Sequence, residues 1–278
     1  MWGMIADGKK IRDAIADEIR AQIAERAHPL RLAIVLVGED PRSLAFVRQK
    51  EKFAARVGIE TRLYTFPADI STTKLRSEVS KIVHITENDG VIVQLPLPAH
   101  IPPQNILNAV TPEKDVDMLS ARSVGNFATG VGKIVPPVVG AVAAILHTYI
   151  PELSLKGKRA VIVGRGRLVG SPVGQWLMHA GASVFFVDEH TADIGIYTKQ
   201  ADIVILGAGV PGLLTGEMVS EGVVVIDAGT TESQGRLVGD VDAVSVEPKA
   251  ALVTPVPGGV GPVTVAQVFE NLVMLQKK

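Results

Sequence analysis

The chain has 278 residues, comfortable for two domains. Its 28 Lys and Arg against 29 Asp and Glu leave a net charge of −1, which gives no electrostatic footprint for nucleic acid or an anionic membrane. With no cysteine, disulfides, thiolate nucleophiles and cysteine-ligated metals are excluded; the six histidines form no ligand-spaced pair, so no metal is expected.

The first ten residues lack the apolar core of a signal peptide. Asp7 can cap a helix carrying Ile11, Ile15, Ile19 and Ile23 at four-residue spacing. Leu32 to Val37 is a continuous apolar run ending at Gly38, as in a strand buried on both faces. Asp40-Pro41 supplies an N-cap and a proline at the first helical position, and that helix runs to about Val57. Ile59 to Phe66 reads as a second strand, Ser71 caps a helix with Leu75, Val79 and Ile82, and Gly90 to Val93 is a short third strand. Strands alternating with helices point to a parallel α/β layer. The Pro-rich stretch from Leu95 to Pro103 breaks the pattern at the C-terminal end of a strand, where open α/β sheets bind ligands.

The most apolar stretch, Ile134 to Leu146, is shorter than the roughly 20 residues of a bilayer span and is interrupted by Pro136, Pro137 and Gly140. A soluble cytoplasmic protein is expected. Val138 to Tyr149 reads as a helix bridging two domains. A second α/β unit begins near Lys158, with strands at Arg159 to Val163, Ser183 to Val187, Ile203 to Leu206 and Val223 to Ile226 and a helix from Ser171 to Ala180.

Between the first of these strands and its helix lies Gly164-Arg-Gly-Arg-Leu-Val-Gly170, the context a dinucleotide loop requires, with its third glycine one residue later than in Gly-x-Gly-x-x-Gly. Arg165 and Arg167 can pair with a 2′-phosphate. Asp188-Glu189, at the end of the next strand, sits where a carboxylate normally accepts from a ribose 2′-hydroxyl. The two readings favour NADP and NAD respectively, and both stay open. Thr254-Pro-Val-Pro-Gly-Gly-Val-Gly-Pro262 has three prolines and three glycines, a pattern that excludes regular helix or strand. It is either a rigid connector or a binding loop running into the N-terminus of a helix from Thr264.

Read together, Val93-Gln-Leu-Pro-Leu-Pro98, Lys114-Asp-Val-Asp117, the glycine loop 164–170 and the string 254–262 resemble, in that order, the signatures of the bifunctional methylenetetrahydrofolate dehydrogenase/methenyltetrahydrofolate cyclohydrolase family. The resemblance covers nearly the whole chain. It implies two α/β domains flanking a cleft: a folate-binding domain over 1–137, with helix 264–278 packing back on it, and a Rossmann-like NAD(P)-binding domain over 138–263. It also implies tetrahydrofolate derivatives as ligands, NADP as the default cofactor, and a homodimer.

The family's Tyr-x-x-x-Lys motif falls on Phe46-Val-Arg-Gln-Lys50, so Lys50 inherits the catalytic lysine role and Phe46 departs from the usual tyrosine. By the same resemblance Gln94 hydrogen-bonds that lysine. A neutral amide leaves the lysine able to lose a proton, which a carboxylate would resist. Asp117 is the implied acceptor for the pterin 2-amino and N3–H groups. Ser43, Phe46, Pro257, Gly258 and Gly259 are the implied substrate contacts. Gly164, Arg165, Gly166, Arg167, Gly170, Asp188, Glu189 and Thr230 are the cofactor contacts, Gly166 standing where the family usually has serine and Glu189 where it commonly has a small hydroxyl residue. Met118 to Ala121 and Val135 to Val138 also depart from the family's usual strings. The residues leave open a dehydrogenase with impaired cyclohydrolase, a shikimate-dehydrogenase-like enzyme and an inactive nucleotide-binding sensor.

Overall fold

A computed structural model of the chain describes residues 3–233 and 235–277. Two compact units are present, Asp13–Pro137 with Val265–Lys278, and Met1–Arg12 with Val138–Thr264.

The first elements are β1 (Met4–Ile5) and α1 (Gly8–Ile23). Asp7 caps α1, its Oδ1 accepting from the Lys9 N–H at 2.9 Å. Ile11, Ile15 and Ile19 form its buried stripe.

The three-stranded unit then builds β2 (Arg31–Val37), α2 (Pro41–Val57), β3 (Glu60–Phe66), α3 (Thr72–His84) and β4 (Gly90–Val93) into a parallel sheet of order β3-β2-β4. Central β2 is buried from Leu32 to Val37, which is why it lacks alternation. Asp40 caps α2, its Oδ2 accepting from the Ser43 N–H at 2.8 Å, and the helix stops at Gly58 in the left-handed region. Ser71 caps α3 by accepting from the Lys74 N–H. Short helices α4 (Pro103–Leu107) and α5 (Ala121–Ala128) follow, too brief to show a period in the sequence.

The six-stranded unit takes over within α6 (Pro137–Tyr149) and continues through β5 (Arg159–Val163), α7 (Gly170–His179), β6 (Ser183–Val187), α8 (Gly195–Thr198), β7 (Ile203–Leu206) and β8 (Val224–Asp227). The hairpin β9 (Thr231–Ser233) and β10 (Arg236–Val238), the turn α9 (Ala243–Val246) and β11 (Leu252–Val253) complete it. Its sheet is parallel throughout, in the order β1-β11-β8-β7-β5-β6. The chain returns past β5 between β6 and β7, a topological switch point beside the glycine loop.

Two sequence boundaries move. Residues 1–12 were expected with the first domain, but β1 pairs with β11, Met4 opposite Leu252, so they cluster with the six-stranded unit. Two residues of strand carry no readable alternation. The final helix, α10, spans Val260–Leu275 and not 264–278, so the end of the Pro/Gly string is helical. Pro262 is tolerated because the first four N–H groups of a helix have no intrahelical acceptor. Lys278, expected in that helix, lies outside the described residues.

From Val265 onward α10 packs in the three-stranded unit. Phe269 is fully buried against Phe53, ring centroids 5.2 Å apart. The Asn271 side-chain amide donates to the Val116 and Val135 carbonyls at 2.9 and 2.8 Å, stitching helix to loops. Phe269→Ala is expected to cost about 3–5 kcal/mol through lost burial and a residual cavity. Urea unfolding followed by circular dichroism checks this, and an unmoved midpoint would mean that α10 contributes little to that core.

Candidate active site

Helix α2 brings Ser43, Phe46 and Lys50 to one face, at spacings of three and four residues. Ser43 is buried, and its Oγ has no hydrogen-bond partner among the described residues. Phe46 stays 41 % exposed, unusual for so large an apolar group. Lys50 Nζ donates to Gln94 Oε1 at 2.9 Å. Gln94 follows β4 and is itself fixed at both ends: its backbone N–H donates to the Val35 carbonyl at 2.9 Å and its Nε2 to the Leu95 carbonyl at 2.6 Å. With the amide NH₂ engaged, Oε1 is the atom turned to the lysine.

Within Lys114-Asp-Val-Asp117 the charges divide their labour. Lys114 Nζ donates to the Ile85 carbonyl at 2.8 Å. The buried Asp115 carboxylate accepts from the Leu119 and Ser120 N–H groups at 3.2 and 2.9 Å. Both hold the turn. Asp117 is half-buried, and no hydrogen bond among the described residues engages its carboxylate. Desolvation pushes the Asp117 carboxyl up to about 6, with the charge of Lys50 pulling the other way and Asp115 adding to the rise. Burial likewise pulls the Lys50 ammonium below its ordinary value, and Asp117 opposes that drop.

In the six-stranded unit, the glycine loop connects β5 to α7. A Cβ on Gly170 would lie 1.8 Å from the Gly164 carbonyl oxygen, so the tight turn into α7 admits only glycine. The Ser171 Oγ–H donates to the Arg165 carbonyl at 2.9 Å and steadies the loop. Arg165, Gly166 and Arg167 are exposed along it, and Thr230 is exposed on the loop after β8. Asp188, immediately after β6, pairs with the Arg165 guanidinium. Glu189 turns outward, its side chain 81 % exposed and 3.9 Å from His190 Nε2. The two acids are therefore not equivalent, although adjacent in sequence. In the Pro/Gly loop, Gly258 has φ +113 and its carbonyl accepts from the Gly8 N–H at 2.9 Å. Among the described residues no group of three His, Asp or Glu is placed to hold a metal ion.

Sequence reasoning missed a second carboxylate set at the C-terminal ends of β7 and β8. Asp227 is buried; its Oδ1 accepts from the Gly229 N–H and its Oδ2 from the Val241 N–H, both at 2.9 Å. Asp240 is buried too, and its Oδ2 accepts from the N–H groups of Ala208 and Gly209 at 2.7 and 3.0 Å. Burial pushes the Asp227 carboxyl up to about 6, a rise that its backbone donors oppose and nearby Asp240 reinforces. The pair latches the loops after both strands. The string Gly239-Asp-Val-Asp242, with glycine before an acid, was the available signal.

A parallel sheet with a glycine loop at its switch point, in a chain whose other unit holds a desolvated lysine on a neutral amide, defines a two-unit α/β enzyme of the dinucleotide-binding class. The tetrahydrofolate dehydrogenase/cyclohydrolase catalytic-domain family matches residues 6–117, and the NAD(P)-binding domain of the same family matches residues 136–278. A bifunctional FolD protein of Halothermothrix orenii is 40% identical over 278 residues, covering 99% of this chain and 98% of its own. Among solved structures, the bifunctional FolD methylenetetrahydrofolate dehydrogenase/cyclohydrolase of Campylobacter jejuni superposes with a TM-score of 0.94 at 36% identity, covering 98% of each chain. The Trypanosoma brucei enzyme, complexed with NADP cofactor and an inhibitor, gives 0.93 at 34%, covering 99% of this chain and 97% of its own. The chain belongs to the tetrahydrofolate dehydrogenase/cyclohydrolase family. It is a bifunctional NAD(P)-dependent enzyme.

If the buried acids latch the strand-end loops, Asp240→Ala leaves two amides without their acceptor. Protection of the Ala208 and Gly209 N–H groups in hydrogen exchange is expected to fall by about tenfold or more, at a global stability cost of only about 1–3 kcal/mol. Unchanged protection would remove the latch.

Proposed function

We propose that Lys50 is the general acid/base of the cyclohydrolase step, that Asp117 anchors the pterin, and that the loop 164–170 carries the dinucleotide. The observation that carries the first assignment is the 2.9 Å contact between Lys50 Nζ and Gln94 Oε1, together with the lowered ammonium pKa. The substrates are 5,10-methylenetetrahydrofolate, oxidised to the 5,10-methenyl form, and that form, hydrolysed to 10-formyltetrahydrofolate.

The residues present fit a nicotinamide dinucleotide. The Gly164–Gly170 approach leaves no room for a side chain where backbone must meet a diphosphate, and α7 begins there. When bound, NAD(P)+ supplies the hydride acceptor. The protein's share of that step is to align two rings. No side chain has to move a proton, because the folate nitrogens stabilise the developing cation.

Hydrolysis is different. Water adds to the methenyl carbon and loses one proton. The bond from that carbon to N5 then breaks, the new hydroxyl gives its remaining proton to solvent to leave the formyl C=O, and N5 gains a proton, so that one proton is released overall. Lys50 Nζ takes the proton of the attacking water as an amine and delivers one to N5 as an ammonium. Burial and the substrate cation both favour its neutral form, and Gln94 accepts a hydrogen bond without holding the charge. Phe46 offers a ring face for stacking but no hydroxyl, so on α2 proton transfer rests with Lys50. Asp117, with its acceptor oxygens unclaimed, matches the two parallel donors of a pterin. Pro257, Gly258 and Gly259 are assigned to the folate as backbone contacts. Arg165, Gly166, Gly170, Asp188 and Thr230 are assigned to the dinucleotide, as is Arg167. Glu189 is not, because its carboxylate faces solvent. Among the described residues no helix is long and apolar enough to cross a membrane. A cytoplasmic homodimer producing a formyl donor of the kind purine synthesis consumes is the working form we adopt, on the family resemblance.

Lys50→Met is expected to lower cyclohydrolase turnover by about 100-fold or more while dehydrogenase turnover stays within about tenfold. Equal losses in a folded variant would mean that Lys50 binds substrate and moves no proton. Asp117 generates a pH prediction with a definite sign. Its carboxyl titrates near 6, and only the ionised form accepts from both pterin donors. Folate affinity should therefore weaken as pH falls from 7.5 through 6. Asp117→Asn should weaken binding at every pH, by about 1–3 kcal/mol, and abolish this dependence. Calorimetric titration of folate at several pH values reads both; a pH-independent affinity in the native protein would take Asp117 out of the site.

A further inference from the structure

We infer that Asp188, locked by Arg165, makes the adenosine end of the nucleotide site selective for an unphosphorylated ribose diol, and so for NAD+ over NADP+. The inference rests on the dinucleotide role proposed above for the six-stranded unit.

The geometry is local and follows from the sheet. β5 and β6 are parallel neighbours in register, Val163 opposite Val187, and the Gly164 N–H donates to the Val187 carbonyl at 2.9 Å. Asp188 therefore emerges directly beside the start of the glycine loop. Its side chain is only 11 % exposed, whereas that of Arg165 is 57 % exposed. The carboxylate is oriented from two sides. Oδ2 takes the Arg165 guanidinium, and Oδ1 accepts from the His190 N–H at 3.1 Å. The Asp188 N–H in turn donates to Thr191 Oγ1 at 3.1 Å, closing a small turn that holds the acid in place. Slight burial pushes the carboxyl up, but the His190 amide and Arg165 outweigh it and leave the group below its ordinary value, firmly ionised.

A carboxylate offers about four acceptor positions, so two remain after these contacts. A ribose diol donates hydrogen bonds into them at the end of the second strand of such a sheet. A 2′-phosphate brings about −1.5 to −2 charges and no donor at neutral pH. It would meet Asp188 as a like charge, and to gain Arg165 it would have to break the existing pair. Gly166, next on the loop, has no side chain with which to compensate, which leaves exposed Arg167 as the loop's other cation for a 2′-phosphate, set against the like charge of Asp188. Glu189 is not held in this way: its carboxylate points to solvent beside His190.

The test is direct binding of two fragments to the full chain, ADP-ribose and its 2′-phosphate, by calorimetry at low and high salt. ADP-ribose is expected to bind about tenfold tighter at low salt, with the gap narrowing as salt screens the repulsion. Asp188→Ser, which releases Arg165, should reverse the order; Asp188→Asn, of the same shape, should at least abolish the preference. The ratio of kcat/KM for NAD+ and NADP+ should move in step. Equal or tighter binding of the 2′-phosphate by the native chain overturns the inference while leaving the nucleotide role intact. If neither fragment binds to a protein that still binds folate, the nucleotide assignment itself fails.

Discussion

The site in the three-stranded unit depends on a partly buried lysine given an amide in place of a carboxylate as its hydrogen-bond partner. Desolvation pulls the Lys50 ammonium below its ordinary value, and a carboxylate at hydrogen-bond distance would push it up. Gln94 does neither. It fixes Nζ in position at 2.9 Å, contributes no charge, and is itself held by Val35 and Leu95 so that only Oε1 is presented. The central strand β2 thus positions this contact: the register that pairs it with β4 also anchors the Gln94 backbone.

Such a site works against the fold. Asp117 and Asp227 both have pKa values raised to about 6, so each holds its proton more tightly folded than unfolded. The sign follows from linkage: each contributes a stability that is greatest at low pH and declines as pH rises from the ordinary carboxylate range through about 6. At neutral pH both are ionised in surroundings that resist it. Asp227 at least recovers something through two backbone donors. Asp117 has none, which is consistent with a carboxylate kept for a ligand.

Long elements and local chemistry were legible in the chain. The run Leu32–Val37, the Asp40-Pro41 and Ser71 caps, and the glycine loop between β5 and α7 all carry their causes within a few residues. Family membership was legible from four short strings in order. What escaped was non-local or too short for a period to register. β1 and β11 are two residues each, and their pairing moves the first twelve residues to another unit. Proline in the first turn of α10 reads as a helix breaker until the orphan N–H groups of a helix start are considered. The division between Asp188 and Glu189 could not be read from their adjacency, because it depends on which one meets Arg165 across the β5–β6 register. Asp227 and Asp240 could not be paired from the sequence, being thirteen residues apart and brought together by the loops whose amides they accept from.

The proposed role of Lys50 is to exchange its proton, because it is partly buried on a neutral partner. It is tested most directly by titrating the lysine itself, following the labelled side-chain carbon next to Nζ by NMR and assigning it by its loss in Lys50→Met. A midpoint below the ordinary lysine value of 10.5 is expected in the native protein, and a higher midpoint when Gln94 is replaced by Glu. A native midpoint at or above 10.5, or one that Gln94→Glu leaves unmoved, would contradict it.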